Sequence, residues 1–325
     1  MRAHLLLLAG LACPALALAE TSVVLFPALG RPGLVAVGGR VTHGAPERDA
    51  APLARNARRL LTKSREGTPV AVTFAGQTRR VKTGDDGLFE VSFPAPAGSP
   101  FAPGLHELRA KAGGATATGR VQVVADDAPF LVITDLDDTL AVSNVQSLRR
   151  LARAALLEDE RTQPVVEGMP ALFRCLAEGN APAPGFAVVS GSPLEYGPRV
   201  EAFLAARGFP FAALALRHLG AGTMSGYKEP AIRALLSRFP QRLVLVGDSG
   251  ERDPEVYATI RREHPDRVAA ILIHDVGRSA DPARFEGMVL FASAADAARA
   301  AAAKGLLPAT CAERAFPAAP PAPPP

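Results

Sequence analysis

Asp135, Asp137, Asp138 and Thr139 follow directly on an apolar run, Phe130 to Thr134. Carboxylates this crowded repel one another and resist ionisation unless a cation or a proton intervenes. A cluster of this kind serves a metal, catalysis or both. Four further polar residues stand downstream. Ser190 lies in VVSGSP, after the apolar residues 186–189. Asp248 and Asp253 lie in GDSGERD, after residues 243–246. Lys228 stands just before Pro230, a residue suited to the first turn of a helix. A lysine there meets the positive end of the helix dipole. It is better accounted for by an anion or carboxylate opposite, with a solvated lysine as the alternative. Asp253 precedes Pro254, so a helix N-cap competes with any role at the site. The histidines show no paired spacing such as HxxxH, which argues against zinc.

The elements that position these residues can be read from periodicity. Phe130 to Thr134 has the length and β-branched content of a buried strand. In α/β proteins the carboxyl ends of such strands face the ligand crevice. From Pro129 onward, strands at 130–134, 186–189, 243–247, 268–273 and 288–291 alternate with helices at 146–158, 170–177, 198–207, 229–239, 254–263 and 294–304. That alternation predicts an α/β fold, a mainly parallel sheet with helices on both faces.

From Glu20 to Ala128 short β-like runs are separated by Gly, Pro and Asp, which predicts a small β-sandwich. Thr83 to Gly87 is expected to be a hairpin turn, since Asp-Gly favours left-handed conformations. Pro52 to Arg65 predicts an amphipathic helix with a basic face, either solvated or drawn to anionic lipid. The expected organisation is a signal peptide over 1–19, a β domain over 20–128, a catalytic domain over 129–310 and a Pro/Ala-rich disordered tail over 311–325.

Hydrophobic content of 48% allows a sizeable core. A net charge of +4 is too small to imply nucleic-acid binding. Arg2, the apolar stretch Leu5 to Leu18 and Ala17-Leu18-Ala19 form a signal-peptide pattern. Export to the periplasm or medium is expected, with no transmembrane segment after cleavage. Cys13 falls in the discarded peptide. Cys175 and Cys311 then either pair or remain as a buried thiol and a free one.

The order DxDxT, Ser after a strand, Lys and then an acidic pair resembles the haloacid-dehalogenase-like phosphohydrolases. The closer resemblance is to the App1-type phosphatidate phosphatase catalytic domain. It is carried by DLDDT (135–139), VVSGSP (188–193), LRHLG (216–220), YKEPAI (227–232) and LVGDSGERDPEVY (245–257). The chain departs from that family at Leu194, where Trp is frequent, and at His218, where Asp is frequent. Both positions bear on substrate choice rather than on phosphoryl chemistry.

The resemblance implies a Rossmann-like parallel sheet with a minimal cap. It also implies Asp135 as nucleophile, forming an aspartyl-phosphate, and Asp137 as general acid and base. Ser190, Thr139, Lys228 and Arg217 would bind substrate, with Ser190 and Lys228 also serving catalysis and Thr139 fixing the loop by hydrogen bonding. Mg²⁺ would be held by Asp135, Asp248 and the backbone carbonyl of Asp137, with Asp253 orienting Lys228 or supporting the metal. The substrate implied is a phosphate monoester, with phosphatidate at a membrane surface foremost. A broad phosphomonoesterase and a non-catalytic binding protein are the alternatives. The interval 140–185 leaves room for two helices, which predicts an open site.

Overall fold

A computed structural model describes residues 21–44, 62–142, 163–218, 226–277 and 281–317. Its first part holds eight strands: β1 Thr21–Leu25, β2 Ala28–Gly30, β3 Leu34–His43, β4 Pro69–Phe74, β5 Gln77–Lys82, β6 Leu88–Pro94, β7 Gly104–Ala112 and β8 Ala115–Val123. They form two sheets, ordered β1-β3-β6 and β2-β8-β7-β4-β5. Period-2 alternation builds the core between them. Val35, Val37 and Val41 point inward from β3, and Val70, Val72 and Phe74 from β4. The Phe74 ring packs against Phe93 and Phe101, with centroids 5.6 and 4.9 Å away.

The segment Thr83 to Gly87 does turn the chain, with Gly87 N–H donating to Gly84 O at 3.0 Å. It is not a hairpin. β5 pairs with β4, and β6 pairs with β3 in the other sheet. The turn therefore carries the chain across the core. The hairpins lie elsewhere, at Ala75-Gly76 and Gly113-Gly114. Both residues of each pair have positive φ, as tight two-residue turns require.

Six parallel strands follow: β9 Phe130–Thr134, β10 Gly185–Pro193, β11 Ala213–Arg217, β12 Arg242–Asp248, β13 Val268–His274 and β14 Val289–Phe291. Their order is β11-β10-β9-β12-β13-β14. The chain runs outward from β9 on one side, then returns to build the other. Helices α1 Met169–Glu178, α2 Gly197–Ala206, α5 Ala294–Ala303 and α6 Ala309–Ala315 pack on one face with Val132, Val188 and Val246. Helices α3 Lys228–Arg238 and α4 Asp253–Glu263 pack on the other with Ile133, Val189 and Leu245. Both faces are covered, so the central strands are apolar throughout.

Leu29 on β2 and Val124 just after β8 belong to this second core and join the two parts of the chain. Leu214 N–H also donates to Pro27 O at 3.1 Å.

Cys175 on α1 and Cys311 on α6 are bonded, with Cα atoms 5.7 Å apart. This corrects the expected tail: its first residues form α6, with Cys311 and Ala312 buried. The disulfide and its packing hold this segment against α1 and α5. The expected signal peptide, the 146–158 helix, most of the 52–65 helix and residues 318–325 lie outside the described residues. Among the described residues no helix is long and apolar enough to cross a membrane.

Candidate active site

Every residue of β9 is buried, and Asp135 follows directly on its last residue, Thr134. Asp135 N–H still donates to Val246 O at 3.0 Å, so the sheet holds its backbone. Thr134 pairs with Val188 on β10 and with Val246 on β12. Ser190 and Asp248, two residues beyond those partners, therefore flank Asp135. The three stand at the carboxyl ends of adjacent strands, where the chain direction of sheet construction reverses. That is the crevice position of an open α/β sheet.

The next turn aims the remaining groups. Asp138 adopts φ 55°, a left-handed conformation that Asp tolerates better than most residues. Its carbonyl accepts a hydrogen bond from His274 Nδ1 at 2.8 Å. Asp137 is half-buried and accepts from Ser192 Oγ at 3.2 Å. Ser190 Oγ, 1% exposed as a residue, accepts from Ser192 N–H at 3.1 Å.

Lys228 opens α3 and is 7% exposed. Its ammonium lies 2.9 Å from Asp135 Oδ1 and 3.3 Å from Glu251 Oε2, and it also donates to Asp253 Oδ1. A cation at a helix N-terminus is thus surrounded by three carboxylates. Asp253 is the first residue of α4 and makes no capping bond. Its Oδ1 holds Lys228, and its Oδ2 accepts from Asp248 N–H at 3.2 Å. Gly247 makes this possible: a β-carbon there would lie 2.4 Å from Asp253 Oδ2.

Burial dominates the electrostatics. It pushes the Asp135 carboxyl well up, opposed by Lys228 and reinforced by Asp253 and Glu251. It raises Asp248 to about 7, helped by the Asp253 charge. For Lys228 burial acts downward, but Asp135 and Asp253 outweigh it and its ammonium is held firmly charged.

The residues present fit a cation. One oxygen each from Asp135, Asp248 and Asp253 lies within 4.8 Å of the others. Asp135 Oδ2 and Asp248 Oδ2 are buried with no hydrogen-bond partner. Buried anionic oxygens left unpaired are costly, and a divalent ion would satisfy both. Asp253 has both oxygens engaged and supports the pair.

Two expected site residues stand apart. Thr139 Oγ1 is buried without a partner, so it does not fix the loop by hydrogen bonding. The loop is held instead by backbone bonds, Asp138 N–H to Ala141 O at 2.7 Å and Leu140 N–H to Leu136 O at 2.9 Å. Arg217 ends β11 and donates to Gly191 O at 3.3 Å, holding the Ser190 loop rather than the carboxylates.

Other supports escaped sequence reasoning. Arg284 donates to the carbonyls of Ser249 and Glu251 and to Glu255, pinning the loop between Asp248 and Asp253. Tyr257 OH donates to Val246 O at 3.0 Å, under the sheet end. Arg40 on β3 donates to Glu195 Oε1 at 2.6 Å, and Asp86 lies 3.8 Å from His218. The β part of the chain thus touches the segments that follow β10 and β11. Only Ser192 carried a local signal, its place in SGSP; the others depend on contacts distant in sequence.

A family model described as the catalytic domain of phosphatidate phosphatase APP1 matches residues 130–275. An uncharacterized protein of Schizosaccharomyces pombe is 31% identical over 163 residues, covering 47% of this chain and 26% of its own length. Phosphatidate phosphatase APP1 of Saccharomyces cerevisiae is 29% identical over 151 residues, covering 44% of this chain and 25% of its own. The chain thus spans about a quarter of each yeast relative. Among solved structures, a carbohydrate acetylesterase from Xanthomonas citri aligns with 87% of this chain and 65% of its own, at 16% identity and a TM-score of 0.32.

Proposed function

Because residues 130–275 belong to the App1-type phosphatidate phosphatase catalytic domain family, we propose that this chain is an exported, Mg²⁺-dependent phosphatase that cleaves a phosphate monoester, phosphatidate foremost. We assign residues 129–310 to a haloacid-dehalogenase-type Rossmann-like domain and residues 20–128 to a β-sandwich. The observation that carries the reading is the buried, unpartnered Asp135 Oδ2 beside Lys228 at the switch point of the sheet.

The chemistry follows from the chain's own groups. Asp135 attacks phosphorus, a P–O bond to its carboxylate forms, and the P–O bond to the alcohol breaks. Asp137, held by Ser192, gives its proton to the departing alkoxide. Asp137 then takes a proton from water, whose oxygen attacks phosphorus. The P–O bond to Asp135 breaks and inorganic phosphate leaves. Lys228 holds Asp135 in place for attack and balances the charge of the phosphoryl oxygens. Ser190 Oγ–H donates to one of those oxygens while its oxygen accepts from Ser192. Asp135, Asp248 and the Asp137 carbonyl would hold Mg²⁺, which supplies neutralisation of the phosphoryl charge when bound.

Phosphate release by the purified protein tests this directly. Phosphatidate in mixed micelles should be hydrolysed with Mg²⁺, and neither with chelator nor by Asp135→Asn. Activity that survives both would sink the mechanism. Activity on soluble monoesters alone would sink the lipid assignment and leave the broader phosphomonoesterase.

A further inference from the structure

One face of the five-stranded sheet carries an unbalanced charge. Pairing of β5 with β4 sets Arg80 opposite Ala71 and Lys82 opposite Pro69. Pairing of β4 with β7 sets Ala71 opposite Lys111 and Thr73 opposite Arg109. Arg80, Lys82, Arg109 and Lys111 therefore share the outward face, and all four are exposed. β4 contributes only Pro69, Ala71 and Thr73 to that face, so no carboxylate separates the two basic strands. Arg80 and Lys111 flank Ala71 and attach about 10 Å apart, two strand spacings. Glu107 is the one acid that β7 presents there, and Arg109 engages it at 3.0 Å. Arg80, Lys82 and Lys111 have no ion-pair partner among the described residues.

Like charges gathered on one exposed face repel, and an anionic surface laid against them relieves that repulsion. The face is broad and shallow, and its outward positions carry no aromatic side chain. A nucleic-acid strand would call for stacking platforms. A plane of anionic headgroups needs only distributed cations, each worth about 1 kcal/mol near the surface. The face also leads toward the loop that carries Ser190, since Arg40 bonds both Asp86 O and Glu195. Lys82 leads directly into the Thr83 to Gly87 turn, whose Asp86 reaches His218 at 3.8 Å, beside Arg217.

We propose that this basic face docks the protein on an anionic phospholipid bilayer. Its bearing on catalysis rests on the phosphatase reading given above; its charge does not.

Full-length purified protein should be sedimented with phosphatidylcholine vesicles and with vesicles that also contain phosphatidylglycerol. Phosphatidylglycerol is a phosphodiester and is not consumed by a monoesterase. Binding is expected on the anionic vesicles alone and should weaken with salt as the Debye length shortens. Arg80→Gln/Lys111→Gln should lower the affinity roughly 25-fold, about fivefold per cation. Its thermal melt and hydrolysis of a soluble monoester should match the parent. Unchanged affinity in the variant, or no vesicle binding by the parent, overturns the proposal. Binding to an oligonucleotide in place of the vesicles also overturns it. Variant-sensitive vesicle binding by a protein with no phosphatase activity would sink the enzymatic reading and leave the docking face standing.

Discussion

Arg40 and Glu195 meet across the junction between the β part of the chain and the catalytic sheet, with Nη1 and Oε1 2.6 Å apart and side-chain exposures of 14% and 8%. Glu195 follows the Ser190 loop by three residues from Ser192. Arg40 also donates to Asp86 O at 3.1 Å and to Ser64 Oγ at 2.9 Å. One guanidinium thus ties the turn between the sheets to the catalytic loop. Removing it leaves Glu195 a buried charge without compensation.

Arg40→Leu is therefore expected to destabilise the protein by about 3 kcal/mol in denaturant titration. Adding Glu195→Leu should restore part of that loss, since the stranded charge goes too. The two changes should couple by at least about 1 kcal/mol in a double-mutant cycle. Additive effects would mean the pair contributes nothing specific.

Gly247→Ala probes the packing of Asp253. The new β-carbon would meet Asp253 Oδ2 at 2.4 Å and Asp253 Cβ at 2.7 Å. Asp253 must move, and Lys228 loses its strongest anchor. A misplaced group at the reacting centre is worth about 100-fold. We expect kcat to fall by that order with KM for a soluble monoester little changed. A wild-type kcat would show that Asp253 does not govern Lys228.

Metal-free stability should depend on pH in a defined direction. Asp248 ionises near 3.8 when exposed and near 7 in the fold. The folded state therefore favours its protonated form. That contribution is fully present below 3.8 and is lost as pH rises through about 7. It is worth up to about 4 kcal/mol. The Tm of chelator-treated protein should fall between pH 5 and pH 8 by several degrees, as about 2–4 °C per kcal/mol implies. Asp248→Asn should flatten that slope and also abolish the rise in Tm on adding Mg²⁺. A slope that persists in Asp248→Asn assigns it to other groups.

The catalytic half was the more legible in sequence. β9 runs over the five residues its apolar run marked, because a strand buried on both faces has no alternation to blur it. Pro at the start of α1, α2 and α4 marked those helices. β5 carries little strand signal because Gln77–Lys82 shows no apolar face: five of its six residues are polar or charged, on an edge strand. In β3, Gly38 and Gly39 blur the apolar run, although Val35, Val37 and Val41 alternate inward. At the site, it was the resemblance carried by DLDDT, YKEPAI and GDSGERDPE that implied a common site for Asp135, Lys228 and Asp248, and the structure brings their side chains together. The reach of Arg40 and Arg284 depends on chain segments far away, which spacing does not encode.

The Cys175–Cys311 bond closes a covalent ring around part of this arrangement. Ser190, Lys228, Asp248 and Asp253 lie inside the ring, and Asp135 and Asp137 lie outside it. β9 nevertheless runs between β10 and β12, both strands of the ring. The proposed nucleophile is thus delivered on a guest strand, seated in a frame whose two ends are already tied. Whatever loosens that seat removes Asp135 from its partners while leaving the partners together.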